Sequence, residues 1–248
     1  MNQEGFKSKA VVKYTDSSSL SLKGGRSPIT LTTDVIKAAI ELRQTKQLQV
    51  GDNWINSIWD WADSFGLSEK SLPRNRDLLL ALTSLRVVYN DDLDFLPESI
   101  GNLSNLTLLY IGSNNLEALP ESIGNLTNLT SLYIGSNNLE ALPESIGNLT
   151  NLTSLDATDN NLEALPESIG NLINLTSLDV AGNNFDSLPE SIGNLTNLTS
   201  LYVTNNNLKA LPESIGNLTN LTSLYVAGNN FDSLPESINQ NRVRVFFE

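Results

Sequence analysis

The chain has 248 residues, with 28 aspartates and glutamates against 15 lysines and arginines, and a net charge of −13. It contains no cysteine and no histidine. This composition excludes disulfides, thiolate nucleophiles, the usual zinc ligands and the commonest general base. The acidic balance argues against nucleic acid or an anionic membrane as the main partner. Residues 96–238 hold 15 acidic side chains and a single base, Lys209, so the acidity belongs to one region.

The first thirty residues differ from the rest of the chain. Residues 1–30 are basic and contain a run of three serines at 17–19 and a pair of glycines at 24–25, which predicts a flexible tail. They lack the apolar core of a secretory signal, and no apolar run approaches the roughly 18 residues of a membrane-spanning helix. We therefore expect no membrane span, and a location in the cytoplasm or outside the cell after export without a cleaved signal peptide.

Residues 31–71 predict a helical N-terminal cap. The segment TTDVIKAAIELRQTKQL (32–48) has the pattern of one helix, and DNWINSIWDWADSFG (52–66) that of a second, which ends at Gly66. All three tryptophans lie in the second helix, mostly on its apolar face. We expect this face to cover the exposed core of the first repeat; the alternative is a docking surface for another protein.

A 23-residue repeat accounts for most of the remaining chain. The motif LPESIGN occurs six times at this spacing, which defines six near-identical repeats over 96–233. A divergent copy, one residue longer, occupies 72–95, and a shortened copy over 234–248 predicts a capping half-repeat. Such a unit cannot bury its apolar positions alone, so the repeats must stack.

Each repeat carries the pattern L-x-x-L-x-[IVA]-x-x-N-x-[LF]. The alternation Leu109-Tyr110-Ile111 has the period of a short strand with one buried face, and the proline of LPESIGN is tolerated where a helical turn starts. Seven positions of the second repeat are predicted to point inward: Leu129, Leu132, Ile134, Leu139, Leu142, Ile146 and Leu149. The sequence therefore predicts an α/β fold with one short strand in every repeat.

This pattern resembles the leucine-rich repeat family, in its 23-residue form with an LPxxI tail. The resemblance implies a curved solenoid, or horseshoe, in which parallel strands line the concave side and turns or short helices line the convex side. The arrangement of a Trp-rich helical segment, an Arg-containing leucine-rich helix and LP repeats is also similar to the front end of secreted bacterial leucine-rich-repeat effectors. Some of those carry a ubiquitin-ligase domain with a catalytic cysteine. Because this chain contains no cysteine, the resemblance does not imply that activity here.

One asparagine recurs in every repeat where the strand bends into a loop. Its amide can satisfy backbone groups that the bend leaves unpaired, so a structural role is predicted. This ladder consists of Asn114, Asn137, Asn160, Asn183, Asn206 and Asn229.

The repeats differ mainly in the strand and just after it. Because neighbouring parallel strands lie about 4.8 Å apart, the outward residues are predicted to form a row across the sheet. The row reads Tyr110, Tyr133, Asp156, Asp179, Tyr202 and Tyr225, framed by Arg86 and Arg244. One interpretation is an unspecialised surface, because tyrosines suit strands and stack on each other. The other is a protein-binding face with aromatic ends and an acidic centre.

Asp156 and Asp179 are predicted to face each other on neighbouring strands, with Asp159 close by. Like charges in such positions repel, and a basic side chain of a partner or a bound cation would relieve the repulsion. A dedicated calcium site usually gathers more oxygen ligands, so a protein with a basic patch is the favoured partner.

The predicted function is therefore non-enzymatic protein recognition through the concave face. We expect no catalytic residues, because the sequence shows no nucleophile–base pair, and no metal or cofactor. One alternative is a secreted bacterial effector or adaptor that engages a host protein. The other is a structural or surface protein, with cation binding or with ice binding by the threonine row that begins at Thr107 and Thr130.

Overall fold

The structure is a computed structural model that describes residues 53–240 and 243–247. The predicted tail (1–30) and the first predicted helix (32–48) lie outside the described residues. None of the helices in the described part has the length and hydrophobicity of a membrane-spanning segment.

In the part of the chain that the structure describes, two helices precede the regular repeats. Helix α1 (Asn53–Ser64) is followed by Gly66, whose φ of 64° lets the amide of Leu67 turn back and donate to the Ala62 carbonyl at 2.7 Å. Its buried face includes Ile58 and Trp61, which belong to the same hydrophobic core as the repeats, and the Trp61 indole donates to the Phe95 carbonyl at 2.9 Å. Helix α2 (Arg76–Leu80) follows. The apolar face of α1 therefore lies on the start of the solenoid.

Within residues 53–240 and 243–247, eight short strands form one open parallel sheet in chain order. They are β1 (Ser84–Arg86), β2 (Leu108–Tyr110), β3 (Ser131–Tyr133), β4 (Ser154–Asp156), β5 (Ser177–Asp179), β6 (Ser200–Tyr202), β7 (Ser223–Tyr225) and β8 (Arg244–Phe246). The middle residue of each strand is inward; Leu132, for example, pairs with Leu155 and is fully buried. The predicted parallel solenoid is thus confirmed.

The LPESIGN segments form the opposite side of the solenoid. Six of them are 3-10 helices, and the last copy forms helix α3 (Glu236–Gln240). The 3-10 helices are Glu98–Asn102, Glu121–Asn125, Glu144–Asn148, Glu167–Asn171, Glu190–Asn194 and Glu213–Asn217. Each packs closely on the next, since a Cβ on Gly124 would come within 2.7 Å of the Ser145 Cβ. This contact leaves no room for a larger residue at that glycine, which explains why the glycine of the motif does not vary.

The core runs through all the repeats. The seven inward positions predicted for the second repeat are all buried, with at most 5% of any side chain exposed. Ala157 is fully buried at the position that Ile134 occupies one repeat earlier.

The asparagine ladder satisfies the backbone at the ends of the strands. The Asn137 amide donates to the carbonyls of Ile111 at 2.8 Å and Ile134 at 3.0 Å, and its oxygen accepts from the Leu116 N–H at 3.1 Å. The equivalent residues make the same kinds of bond, and all but Asn229 are at least 93% buried. All six side chains are part of the scaffold, and the five buried ones are inaccessible to a ligand.

Candidate functional site

The outward residues of the strands form a continuous row on the exposed face of the sheet. Tyr110 pairs with Tyr133, and Tyr133 with Asp156, in direct register. The pairing then continues through Asp179 to Tyr202 and Tyr225. All six side chains are half-buried between their neighbours, which leaves their outer edges open to solvent.

The row ends on Phe246, and the prediction that Arg244 frames it is wrong. Arg244 points outward as expected, but it pairs with Ser223, whereas Phe246 pairs with Tyr225. The last copy of the repeat is shortened, so the 23-residue spacing does not give the register of β8. Phe246 therefore supplies the final outward ring, a position that the 23-residue spacing does not predict.

Two aromatic clusters lie at the ends of the row. In the N-terminal cluster (Arg86, Tyr110 and Tyr133), the Arg86 guanidinium carbon lies 4.1 Å from the centre of the Tyr110 ring, and the two tyrosine rings are 5.3 Å apart. In the C-terminal cluster (Tyr202, Tyr225 and Phe246), successive ring centres are 4.3 Å apart and within 10° of parallel. These ring contacts hold the side chains in position, which lowers the entropy lost when a partner covers them.

The acidic centre (Asp156 and Asp179) separates the two clusters. The two residues pair directly on β4 and β5. Asp156 accepts hydrogen bonds from the Thr158 N–H at 3.0 Å and from its hydroxyl at 2.8 Å, and Asp179 accepts from the Ala181 N–H at 3.1 Å. Each carboxylate thus also holds the end of its own strand, a structural role that was not predicted.

The environment of Asp179 disfavours its charged form. Burial raises the pKa of its carboxyl to about 6; the Ala181 N–H opposes this shift, and the charges of Asp156 and Asp159 add to it. Among the described residues, the ion pairs are Arg74 with Asp63 and Arg76 with Asp77, so none neutralises the acidic centre.

Asp159 has a structural explanation that the sequence analysis missed. Its φ is 49°, in the left-handed region that aspartate tolerates better than most residues. The equivalent Ser136 and Asn205 also have positive φ, as does Gly182 in the next repeat. The Asp159 carboxylate lies against Gly182, where a Cβ would collide with it. The loop conformation therefore explains an aspartate at this position as well as a role in ligand binding does.

The threonine row is also structural. Each hydroxyl donates to the threonine carbonyl of the preceding repeat, as Thr130 does to Thr107 at 2.9 Å. A second asparagine ladder, which was not predicted, runs beside it; the Asn151 amide, for example, donates to the Thr127 carbonyl at 2.8 Å. The two rows border an open groove of about 770 Å³. Among the described residues, no group of three or more acidic side chains is arranged to hold a metal ion.

Replacing Asp179 with asparagine is expected to stabilise the free protein at pH 7.5 by about 1 kcal/mol. A shift of two pKa units corresponds to roughly 2.7 kcal/mol, which solvent screening reduces for this half-exposed group. Because the native pKa lies above the unfolded value of 3.8, the wild-type carboxyl contributes stability at low pH and loses it as the pH rises through about 6. Urea denaturation should therefore show the gain at pH 7.5 and little gain at pH 4.

The exposed Asp186 provides a matched control for this change. Asp186→Asn should change the free energy of unfolding by less than about 0.5 kcal/mol at both pH values. An equal effect of Asp179→Asn at pH 7.5 and pH 4 would contradict the assignment.

Comparison with known proteins agrees with this geometry. A family model described as a leucine-rich repeat region matches residues 69–161 and 155–241. The chain belongs to the leucine-rich repeat family. A search of curated proteins finds no match.

Several solved leucine-rich repeat structures are similar to this one. A leucine-rich repeat protein of Leptospira interrogans is 35% identical, with a TM-score of 0.66, over 71% of this chain and 45% of that one. An internalin of Listeria monocytogenes is 27% identical, with a TM-score of 0.58, over 67% of this chain and 48% of that one. The ectodomain of the Arabidopsis thaliana receptor kinase GASSHO1/SCHENGEN3, solved in complex with CASPARIAN STRIP INTEGRITY FACTOR 2, is 31% identical, with a TM-score of 0.64, over 71% of this chain and 22% of that one. The matches therefore span less than half of each of these proteins.

Proposed function

We propose that this leucine-rich repeat protein is a non-enzymatic recognition module that binds another protein along the row from Arg86 to Phe246. The observation that carries the proposal is the contrast between the two sides of the solenoid. The LPESIGN side is fixed by close packing, as at Gly124, whereas the exposed strand positions vary in an ordered way. The variation places two aromatic clusters on either side of an acidic centre.

The chemistry of the row favours a partner with a basic patch. Tyrosine buries a large area for a small loss of conformational entropy, so stacked tyrosines suit protein interfaces. A lysine or arginine of the partner would face Asp156 and Asp179, whose mutual repulsion is not relieved by an ion pair with any described residue. Charge complementarity of this kind speeds association and selects against acidic partners.

The similar receptor ectodomain, solved in complex with CASPARIAN STRIP INTEGRITY FACTOR 2, supports the class of function. A location in the cytoplasm, or outside the cell after export as an effector or adaptor, is a further proposal that rests on the sequence alone.

Photocrosslinking tests which side of the solenoid binds. Benzoylphenylalanine would replace Tyr202 on the sheet face in one variant and the exposed Glu167 on the opposite side in another. In extracts of the source cells we expect a discrete crosslinked protein with the Tyr202 variant and none with the Glu167 variant. Crosslinking to one discrete protein from Glu167 alone would contradict the proposal.

A further inference from the structure

Tyr89 adopts a backbone conformation that its side chain does not favour. Its φ is 58°, in the left-handed region, where a bulky residue is an outlier. The equivalent loop positions in the six regular repeats hold the small or turn-forming residues Ser113, Ser136, Asp159, Gly182, Asn205 and Gly228. The tyrosine side chain is 81% exposed, and no hydrogen bond or ring contact holds it among the described residues. Packing therefore gives no reason for a tyrosine at this strained position.

Tyr89 lines an open cleft of about 620 Å³ near the start of the solenoid. Leu67 and Ser71, from the loop after α1, line it as well. Two contacts hold the walls in place: the Asn90 amide donates to the Phe65 carbonyl at 2.9 Å, and Arg74 donates to the Leu67 carbonyl at 3.1 Å. The cleft is therefore preorganised, which lowers the cost of binding a ligand.

The residues that line the cleft suit a cation with an aliphatic stem. Leu67 and Val88 give apolar surface, and the exposed residues Asp91 and Asp92, which line the same cleft as Tyr89, supply negative charge. Arg86 also lines the cleft, but its guanidinium lies over the Tyr110 ring, so its charge is directed towards the neighbouring strand. A basic side chain in the cleft could stack on Tyr89 and pair with the two carboxylates.

We infer that this cleft is a second binding site, which takes a lysine or arginine side chain of a protein partner, with Tyr89 as its anchor. Strained residues that packing does not require occur preferentially at binding sites, and exposed tyrosines are frequent anchors there. The site is separate from the acidic centre on β4 and β5. Loss of binding at one need not affect the other, so a failure here is distinguishable from a failure of the proposed function.

The probe for this site is N-acetyl-arginine methylamide, added to the whole protein at constant ionic strength. Two-dimensional amide NMR should show saturable shifts for residues 66–71 and 86–92. The lysine analogue should act on the same residues and the glutamate analogue on none. Tyr89→Phe should keep the binding, whereas Tyr89→Asn should weaken it about tenfold, because the ring is lost. Since asparagine tolerates the left-handed conformation, Tyr89→Asn should also raise the melting temperature.

A second variant, Asp91→Asn with Asp92→Asn, removes the charge and leaves the ring, and it should weaken probe binding as well. The inference would be overturned if Tyr89→Asn bound the arginine probe as tightly as the wild type. It would also be overturned if only the glutamate analogue bound, or if shifts were scattered over all the acidic residues without saturation.

Discussion

Replacing Asn160 with leucine is expected to lower the free energy of unfolding by about 2–4 kcal/mol. The Asn160 amide donates to the Ile134 carbonyl at 3.1 Å and the Ala157 carbonyl at 3.2 Å, and its oxygen accepts from the Leu139 N–H at 3.1 Å. Leucine has a similar size but can make none of these bonds. Each buried backbone group left without a partner costs roughly 1–3 kcal/mol, and part of this is recovered by relaxation and water.

The adjacent Asn161 provides a matched control because its side chain is exposed and its backbone N–H makes the bond to the Leu139 carbonyl. Asn161→Ala should therefore change the stability by less than about 0.5 kcal/mol. Urea denaturation followed by circular dichroism measures both variants. If the two changes had equal effects, the ladder would not have the structural role described above.

Much of the fold could be predicted because its repeat is nearly regular. A fixed 23-residue spacing places the same residue of every repeat in one row, so the pairing of Asp156 with Asp179 follows from counting. The inward leucines and the asparagine ladder follow from alternation and from the hydrogen bonds that a bend requires.

The prediction was wrong where the repeat is irregular. It was incomplete where the backbone conformation determines which residue a position can hold. Counting could not place β8, since the last copy is shortened, and so Arg244 was assigned the place that Phe246 occupies. The periodicity of the apolar residues does not predict the positive φ values of Tyr89 and Asp159. The hydrogen bonds that Thr158 donates to Asp156 depend on the local backbone conformation at the strand end, which the residue pattern does not specify.

The largest effect on binding is expected from a variant with four changes in the row: Tyr133→Ala, Asp156→Asn, Asp179→Asn and Tyr202→Ala. It removes one inner ring from each aromatic cluster and both charges of the acidic centre. Loss of central aromatic anchors at an interface commonly costs 2 kcal/mol or more each, and the lost charges slow association as well. Even with partial compensation, affinity for the partner should fall at least about 100-fold.

Two control variants separate this effect from changes in net charge or folding. Glu121→Gln with Glu167→Gln also removes two negative charges, but from exposed positions on the opposite side of the solenoid. Tyr133→Phe with Tyr202→Phe keeps both rings. Circular dichroism should show the same fold for all the variants, because none of the changed side chains belongs to the buried core.

The most direct test of recognition by the sheet face is the dissociation constant of the partner, captured with the whole wild-type protein, for these variants side by side. We predict a loss of at least about 100-fold for the four-site variant and a change of less than about twofold for the Glu121→Gln, Glu167→Gln variant. A four-site variant that binds as tightly as the wild type, or a loss confined to the glutamate variant, would contradict binding by the row from Arg86 to Phe246.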